Sequence, residues 1–538
     1  LDGTCILKLN IKKFYVQLII DNMIVKVQKN LLSWISFLGG EGIPFELIGN
    51  TINKESKIII LDDIVQFKDL LQSSNKKNVF ILDEKLKVNF KSNIIKSKSL
   101  NYSYETFDIT LHSKQKSMSI SYTQINNNLI IFYDSRLKEL LANGSVALKK
   151  VSLSEDFKCQ TRESLCRINK NNIRKYKKEI IKMAFFHLNK PLIYLWKYPG
   201  FYKNVFNLRI DVDPDVSRED VNLGKIKNTF KQLEEYSDCV TFVINFFKRA
   251  PNYFFFKEYV KKFDIQSHNF FHCLFPDRFT NEKNLTVAHS LLKKNIKNVD
   301  GFVCPEYFWY DHHANLLEKY HYKYNHSFGF DYSSYSYRPI VNGKIRDYFE
   351  VPVSPLVYSK YENAQNLNFR TSILELYEKA ITSNINKIHI PCFIYEHPGV
   401  VGFRNEIINQ IFKVKSNFKN ILPITLTKWV LWLNEREKFL NKFSYTFENN
   451  NLKLECKNFG SKFSIAVERK NNKQIELMRI SNGNKKEFSV KPTESNFNET
   501  VYDENSHELS FVKSKSHRKK VIKNYLLFLK YKIKKFYF

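Results

Sequence analysis

Between residues 200 and 435, short apolar runs recur at a regular pitch, with helix-patterned segments between most of them. The runs are NLRIDVD (207–213), CVTFVINFF (239–247), FDIQSH (263–268), DGFVCPEY (300–307), DYFEVPVS (347–354), KIHIPCFIYEH (387–397) and ILPITL (421–426). Strands that alternate with helices pair most simply in parallel, because each crossover returns the chain to the same end of the sheet. The pattern therefore predicts a distorted (β/α)7-type barrel or strongly curved parallel sheet over residues 201–438.

The flanks read differently. Trp34 to Ile48 has the pattern of a helix end, a glycine turn and a strand. KIIILDD (57–63) and NVFILD (78–83) read as buried strands with a helical segment between them, which predicts a Rossmann-like α/β domain over residues 1–160. No glycine-rich phosphate loop follows either strand, so the unit carries no evident chemistry. Residues 161–200 are expected to be a helical linker, with the helix at about 173–188. FSYTFENNNLKLECKN and KFSIAVERKNNKQIEL alternate apolar and polar residues, so residues 439–512 are expected to form a small β-sandwich-like domain.

Charge adds a second constraint. The chain has 538 residues, and its 85 Lys and Arg exceed its 54 Asp and Glu by 31. That excess suits a polyanionic partner, or reflects lysines spread over a solvated surface. It is densest in residues 513–538, which hold ten Lys or Arg, no acid, and interleaved Tyr525, Leu526, Phe528, Leu529, Tyr531, Ile533 and Phe536. Such a basic amphipathic tail is expected to touch an anionic membrane surface, the alternative being a solvated tail. Aromatics at 15% exclude wholesale disorder. The eight cysteines form no CxxC and several lie in apolar runs, as expected of free buried thiols in a reducing compartment. Neither a secretory signal nor an 18-residue apolar span is visible. A cytoplasmic protein, peripheral at the inner membrane face, is expected.

Four short segments at the ends of the central strands carry candidate chemistry. In Arg209-Ile-Asp211-Val-Asp213, strand alternation places Arg209, Asp211 and Asp213 on one face. His268 and His272, separated by three residues, fit one side of a helical turn and a shared metal. Gly301 to Trp309 contains Pro305, Glu306 and Trp309, and Tyr395-Glu396-His397 ends a late apolar strand. Taken singly, each also fits a solvated strand end, a capped core histidine or loop packing.

In this order, the four segments resemble the polysaccharide deacetylases of carbohydrate esterase family 4, in the branch that carries a D-x-D motif. The resemblance covers about residues 200–435 and includes the EVPVSP run at 350–355 and TLTKWVLW at 425–432. It implies a metal-dependent carbohydrate N-deacetylase, acting on a surface polysaccharide or its lipid- or nucleotide-linked precursor. Asp213, His268 and His272 would hold one divalent ion, Zn2+ or another transition metal. Asp211 would be the catalytic base and His397 the general acid. Pro305, Glu306 and Trp309 would line the sugar site. Two positions depart from the family: Val303 stands where an arginine usually pairs with the base, and Asn269 replaces the usual Ser or Thr. Arg209, on the face of Asp211, is expected to supply the missing charge. Two other readings compete, namely the same metal site acting on a non-sugar amide and a degenerate polyanion- or glycan-binding protein. Nucleic acid is not expected as a partner.

Overall fold

Eight short strands lie side by side in one parallel sheet: β1 (Asn204–Val212), β2 (Val240–Ile244), β3 (Asp264–Ser267), β4 (Gly301–Phe302), β5 (Tyr324–Ser327), β6 (Phe349–Pro352), β7 (Cys392–Glu396) and β8 (Ile421–Pro423). The computed structural model describes residues 25–48, 58–73, 77–90, 96–107, 113–134, 170–213, 219–246, 258–275, 277–294, 296, 298–305, 310–327, 335–353, 378, 381–382, 391–398, 405–448, 451–455, 462–470, 475–481, 484–490, 522–523, 525–527 and 529–530. The sheet order is β6-β5-β4-β3-β2-β1-β7, and β8 pairs with the beginning of β1. No β6–β7 pair closes the ring among the described residues, and the sheet is a curled half-barrel, consistent with the distorted barrel or strongly curved sheet expected.

β1 shows how the sheet sorts its side chains. Phe206, Leu208, Ile210 and Val212 pack on one face with Ile226, Phe230, Leu285, Ile407 and Ile411 of the surrounding helices. The alternate residues Asn207, Arg209 and Asp211 are also buried, on the other face. Asn207 Nδ2 donates there to Cys239 O (2.9 Å), Ile424 O (3.0 Å) and Thr241 Oγ1 (3.2 Å). β5 was not expected. Its Asn325 and His326 break the apolar run, yet both are buried, and Asn325 donates to the buried Glu350 carboxylate on β6 at 2.9 Å.

The flanking elements share a core with the half-barrel. The N-terminal sheet has the order 45–47, 25–27, 58–61, 79–83, 128–133, 113–125, 96–107, with its first five strands parallel and its last two antiparallel. The helix Lys170–His187 is no spacer: Tyr176, Ile180, Ile181, Ala184 and Phe185 are buried in the same apolar cluster as Trp34, Tyr324, Phe393 and Trp429. Leu192–Leu195, also within the expected linker, is a strand that pairs antiparallel with Ser464–Glu468. It completes a four-stranded antiparallel sheet with 475–481 and 484–490. Arg436, buried on the helix Leu426–Leu440, donates to Trp196 O (3.0 Å), Leu195 O (2.9 Å) and Gly40 O (3.2 Å). Gly42 (φ 77°) must be glycine, because a Cβ there would lie 2.2 Å from Arg436 Nη2 and 2.6 Å from Leu195 O.

Cys239, Cys273, Cys304 and Cys392 are buried free thiols, as expected, and no helix among the described residues is long and apolar enough to cross a membrane.

Burial makes one histidine a pH sensor of stability. His313, packed 4.8 Å from Phe302, is held down to about 3, by burial first and by His312 second. The unfolded chain takes up this proton below its ordinary 6.5, whereas the folded chain resists until about 3. Stability is therefore intact above that upper value and is lost as pH falls toward the lower one. At pH ~5 the loss from this residue is about 2 kcal/mol. Urea unfolding of His313→Phe at pH 7.5 and pH 5 is expected to show a pH dependence smaller by that amount. An unchanged dependence would contradict the assignment.

Candidate metal centre

The carboxyl ends of β1, β3, β4 and β7 lie together. The register pairs Ile244 of β2 with Val212 and with Ser267, Ser267 with Phe302, and Tyr395 with Arg209. Asp213 follows β1, His268 follows β3, Val303 follows β4 and His397 follows β7. This end of a parallel sheet is where ligand sites form, because every strand hands its next residues to a loop there.

Asp213, His268 and His272 converge on one point. Asp213 Oδ1 lies 3.1 Å from His268 Nε2 and 2.9 Å from His272 Nε2, and the two imidazole nitrogens are 3.0 Å apart. A carboxylate oxygen and two imidazole nitrogens, all within 4.8 Å of one another, are a donor set that suits a zinc-like ion. The surroundings fit as well. His268 Nδ1 faces Val303 O at 2.9 Å, and since a carbonyl only accepts, Nδ1 carries the proton. That leaves the Nε2 lone pair directed at the convergence point, the arrangement that orients metal-binding histidines. Val303 therefore serves through its backbone carbonyl, which its side-chain identity gave no way to read.

The two histidines do not meet across a helical turn, as the spacing suggested. The chain reverses at Asn269, whose φ of 68° is left-handed, a conformation that asparagine tolerates better than most residues. Buried amides hold the bend: Asn245 donates to His268 O (3.1 Å), Asn269 to Cys273 O (3.3 Å) and Asn284 to Cys273 O (3.0 Å), while Phe271 N donates to Asn284 Oδ1 (2.7 Å). Asn245, Asn281 and Asn284, all fully buried, were not singled out in the sequence.

Beside the convergence point stands a buried ion pair. Arg209 Nε donates to Asp211 Oδ1 at 2.6 Å and Nη2 to Oδ2 at 2.8 Å, a bidentate fork. Nη1 donates to His326 O (3.0 Å), and the guanidinium lies 4.8 Å from the centre of the Tyr395 ring. Arg209 is thus placed against Asp211 as its position on the strand suggested. His397 approaches from another side, with Nε2 3.5 Å from Asp213 Oδ2.

Electrostatics follow from these contacts. Burial alone would raise the Asp213 carboxyl, but His272, His268 and His397 outweigh it and hold the group well below its ordinary range. For His397, burial pushes down, and the carboxylates of Asp213, Asp211 and Glu396 overcome it and raise the imidazole. Pro305 is buried just beyond β4, whereas Glu306 and Trp309 lie outside the described residues.

No family model matches the chain, and no curated protein matches its sequence. The solved structures similar to it include polysaccharide deacetylases and family 4 carbohydrate esterases. A protein from Mycobacterium smegmatis, assigned as a polysaccharide deacetylase, is 13% identical with a TM-score of 0.39, over 45% of this chain and 93% of its own. A family 4 carbohydrate esterase from Bacillus subtilis is 12% identical with a TM-score of 0.27, over 44% and 84%. An allantoinase is 10% identical with a TM-score of 0.36, over 44% and 91%. Identities this low assign no role to any residue of the chain.

Proposed function

We propose that the chain is a metal-dependent hydrolase that removes N-acetyl groups from sugars of a surface polysaccharide, or of its lipid- or nucleotide-linked precursor. The observation that carries this reading is the convergence of Asp213, His268 and His272 beside the Arg209–Asp211 pair, with His397 on another side of Asp213. Asp213, His268 and His272 would hold a divalent ion, zinc being the natural first choice for this donor set. Such an ion, when bound, polarises an acyl carbonyl and acidifies water.

The remaining steps fall to the chain's own groups. Asp211 takes a proton from the attacking water as the new C–O bond forms. Arg209, with two N–H groups on the Asp211 carboxylate, fixes the direction in which that carboxylate points. His397 gives a proton to the departing nitrogen as the C–N bond breaks, since an amine leaves poorly unprotonated. The products are acetate and a free amino sugar. The sugar as substrate rests on the resemblance of the four motifs.

The test is acetate release from N-acetylglucosamine oligomers by the full chain, with and without added zinc or cobalt, alongside measurement of new amine. Equal acetate and amine, dependent on metal, is the expected result. Stoichiometric metal without acetate would sink the N-acetyl sugar and leave the metal site.

A further inference from the structure

The basic C-terminal segment takes no part in the proposed hydrolysis, yet it is built onto the half-barrel. Residues 522–523, 525–527 and 529–530 are helical and present two kinds of surface. Tyr525 and Leu527 pack against the apolar cluster between the sheet and its helices. The Tyr525 ring lies 4.8 Å from that of Phe275, and its hydroxyl bonds to the Asp277 carboxylate. Asp277 also accepts from Thr280 N at 2.7 Å, capping the helix Arg278–Lys293. The tail is thus tied to the junction that leaves the His268–His272 bend.

The outer surface is unusual for a soluble face. Ile522, Leu526 and Leu529 are 59%, 61% and 53% exposed, and their spacing of four and three residues puts them in one stripe. Lys523 and Lys530 flank that stripe and are exposed too. Phe279, 63% exposed, stands two residues beyond the Asp277 to which Tyr525 is tied. Residues 513–538 contribute ten positive side chains and no negative one. A nucleic acid would answer the charge and leave the aliphatic stripe in water. An anionic lipid surface answers both, with headgroups for the lysines and the acyl boundary for the stripe.

We propose that the C-terminal helix is a membrane-docking element that seats the protein on a bilayer face rich in anionic lipid. Ile522, Leu526 and Leu529 enter the headgroup–acyl boundary, and Lys523 and Lys530 meet the lipid charge. In a deacetylase of lipid-linked glycans, the Tyr525–Asp277 tie also keeps the metal centre near the membrane. This second clause rests on the proposed function, whereas the docking itself does not.

The experiment is co-sedimentation of the full chain with phosphatidylcholine vesicles, with and without phosphatidylglycerol. Binding to the anionic vesicles is expected to exceed binding to neutral ones by about tenfold or more, and to weaken as salt rises. Leu526→Glu/Leu529→Glu is expected to lower it by about tenfold or more, because the stripe can no longer enter the boundary. Lys523→Gln/Lys530→Gln is expected to weaken binding and flatten its salt dependence. All four side chains are exposed, so neither variant disturbs the core. Double glutamate variants that bind as well as the native chain would overturn the proposal, by showing that the stripe does not enter the bilayer. So would a chain that binds short duplex DNA and neither vesicle. Vesicle binding without acetate release would support the docking and sink only the substrate reading.

Discussion

Replacing His268 and His272 together by alanine is expected to abolish stoichiometric metal binding. Two of the three converging donors disappear, and a single carboxylate oxygen from Asp213 does not retain a transition metal in water. Even loss of a supporting contact around a metal ligand typically costs about 10–100-fold in affinity, so loss of two ligands costs far more. Asn245→Ala makes the useful contrast. It removes the amide that holds His268 O and leaves all three donors in place, so affinity is expected to fall by about tenfold, within that lower range. Elemental analysis after dialysis against zinc or cobalt measures both, with urea unfolding as a check on the fold. Metal retained in equal amount by the double alanine variant would rule out this cluster as the site.

The second large effect concerns the Arg209–Asp211 pair. Arg209 is 0% exposed and Asp211 3% exposed, so neither charge has water to fall back on. Arg209→Met leaves the Asp211 carboxylate buried without its fork, and removing one partner of such a pair costs about 3–5 kcal/mol. Arg209→Met/Asp211→Leu removes both charges and is expected to recover most of that loss. Asp211→Asn removes the proposed base and the charge that balances the guanidinium, so acetate release should fall by about 10²–10⁴-fold and stability should fall as well, because one charge of the buried pair is lost. The two readouts separate roles: stability follows the pair, whereas rate follows Asp211. An Arg209→Met protein as stable and as active as the native chain would show that the pair matters to neither.

Legibility in the sequence followed burial chemistry. β2 and β7 were visible because every residue on them is buried and nearly all are apolar. Arg209 could be placed against Asp211 because strand alternation fixes which residues share a face. β5 was hidden, since its central residues are Asn325 and His326 and the bond that justifies Asn325 comes from Glu350, a partner distant in sequence. The bend between the two histidines was hidden for a related reason. Asn245 and Asn284 read as ordinary members of an asparagine-rich chain, and their work is to satisfy backbone groups that no local pattern announces. The strand Leu192–Leu195 reads as linker because its partner, Ser464–Glu468, lies far along the chain.

The way the apolar interior is shared bears on how such a chain can be altered over time. A catalytic unit that owns its interior can be cut from one gene and joined to another. Here Trp429 and Phe393 belong to the same cluster as Trp34, Tyr176, Leu195 and Ile465, and Arg436 binds the carbonyls of Gly40, Leu195 and Trp196, all of which precede the half-barrel. Residues 201–438 taken alone would turn part of that interior into surface and leave a buried guanidinium without its acceptors. The half-barrel is therefore not a transferable cassette, and its flanking sheets must be inherited and altered along with it.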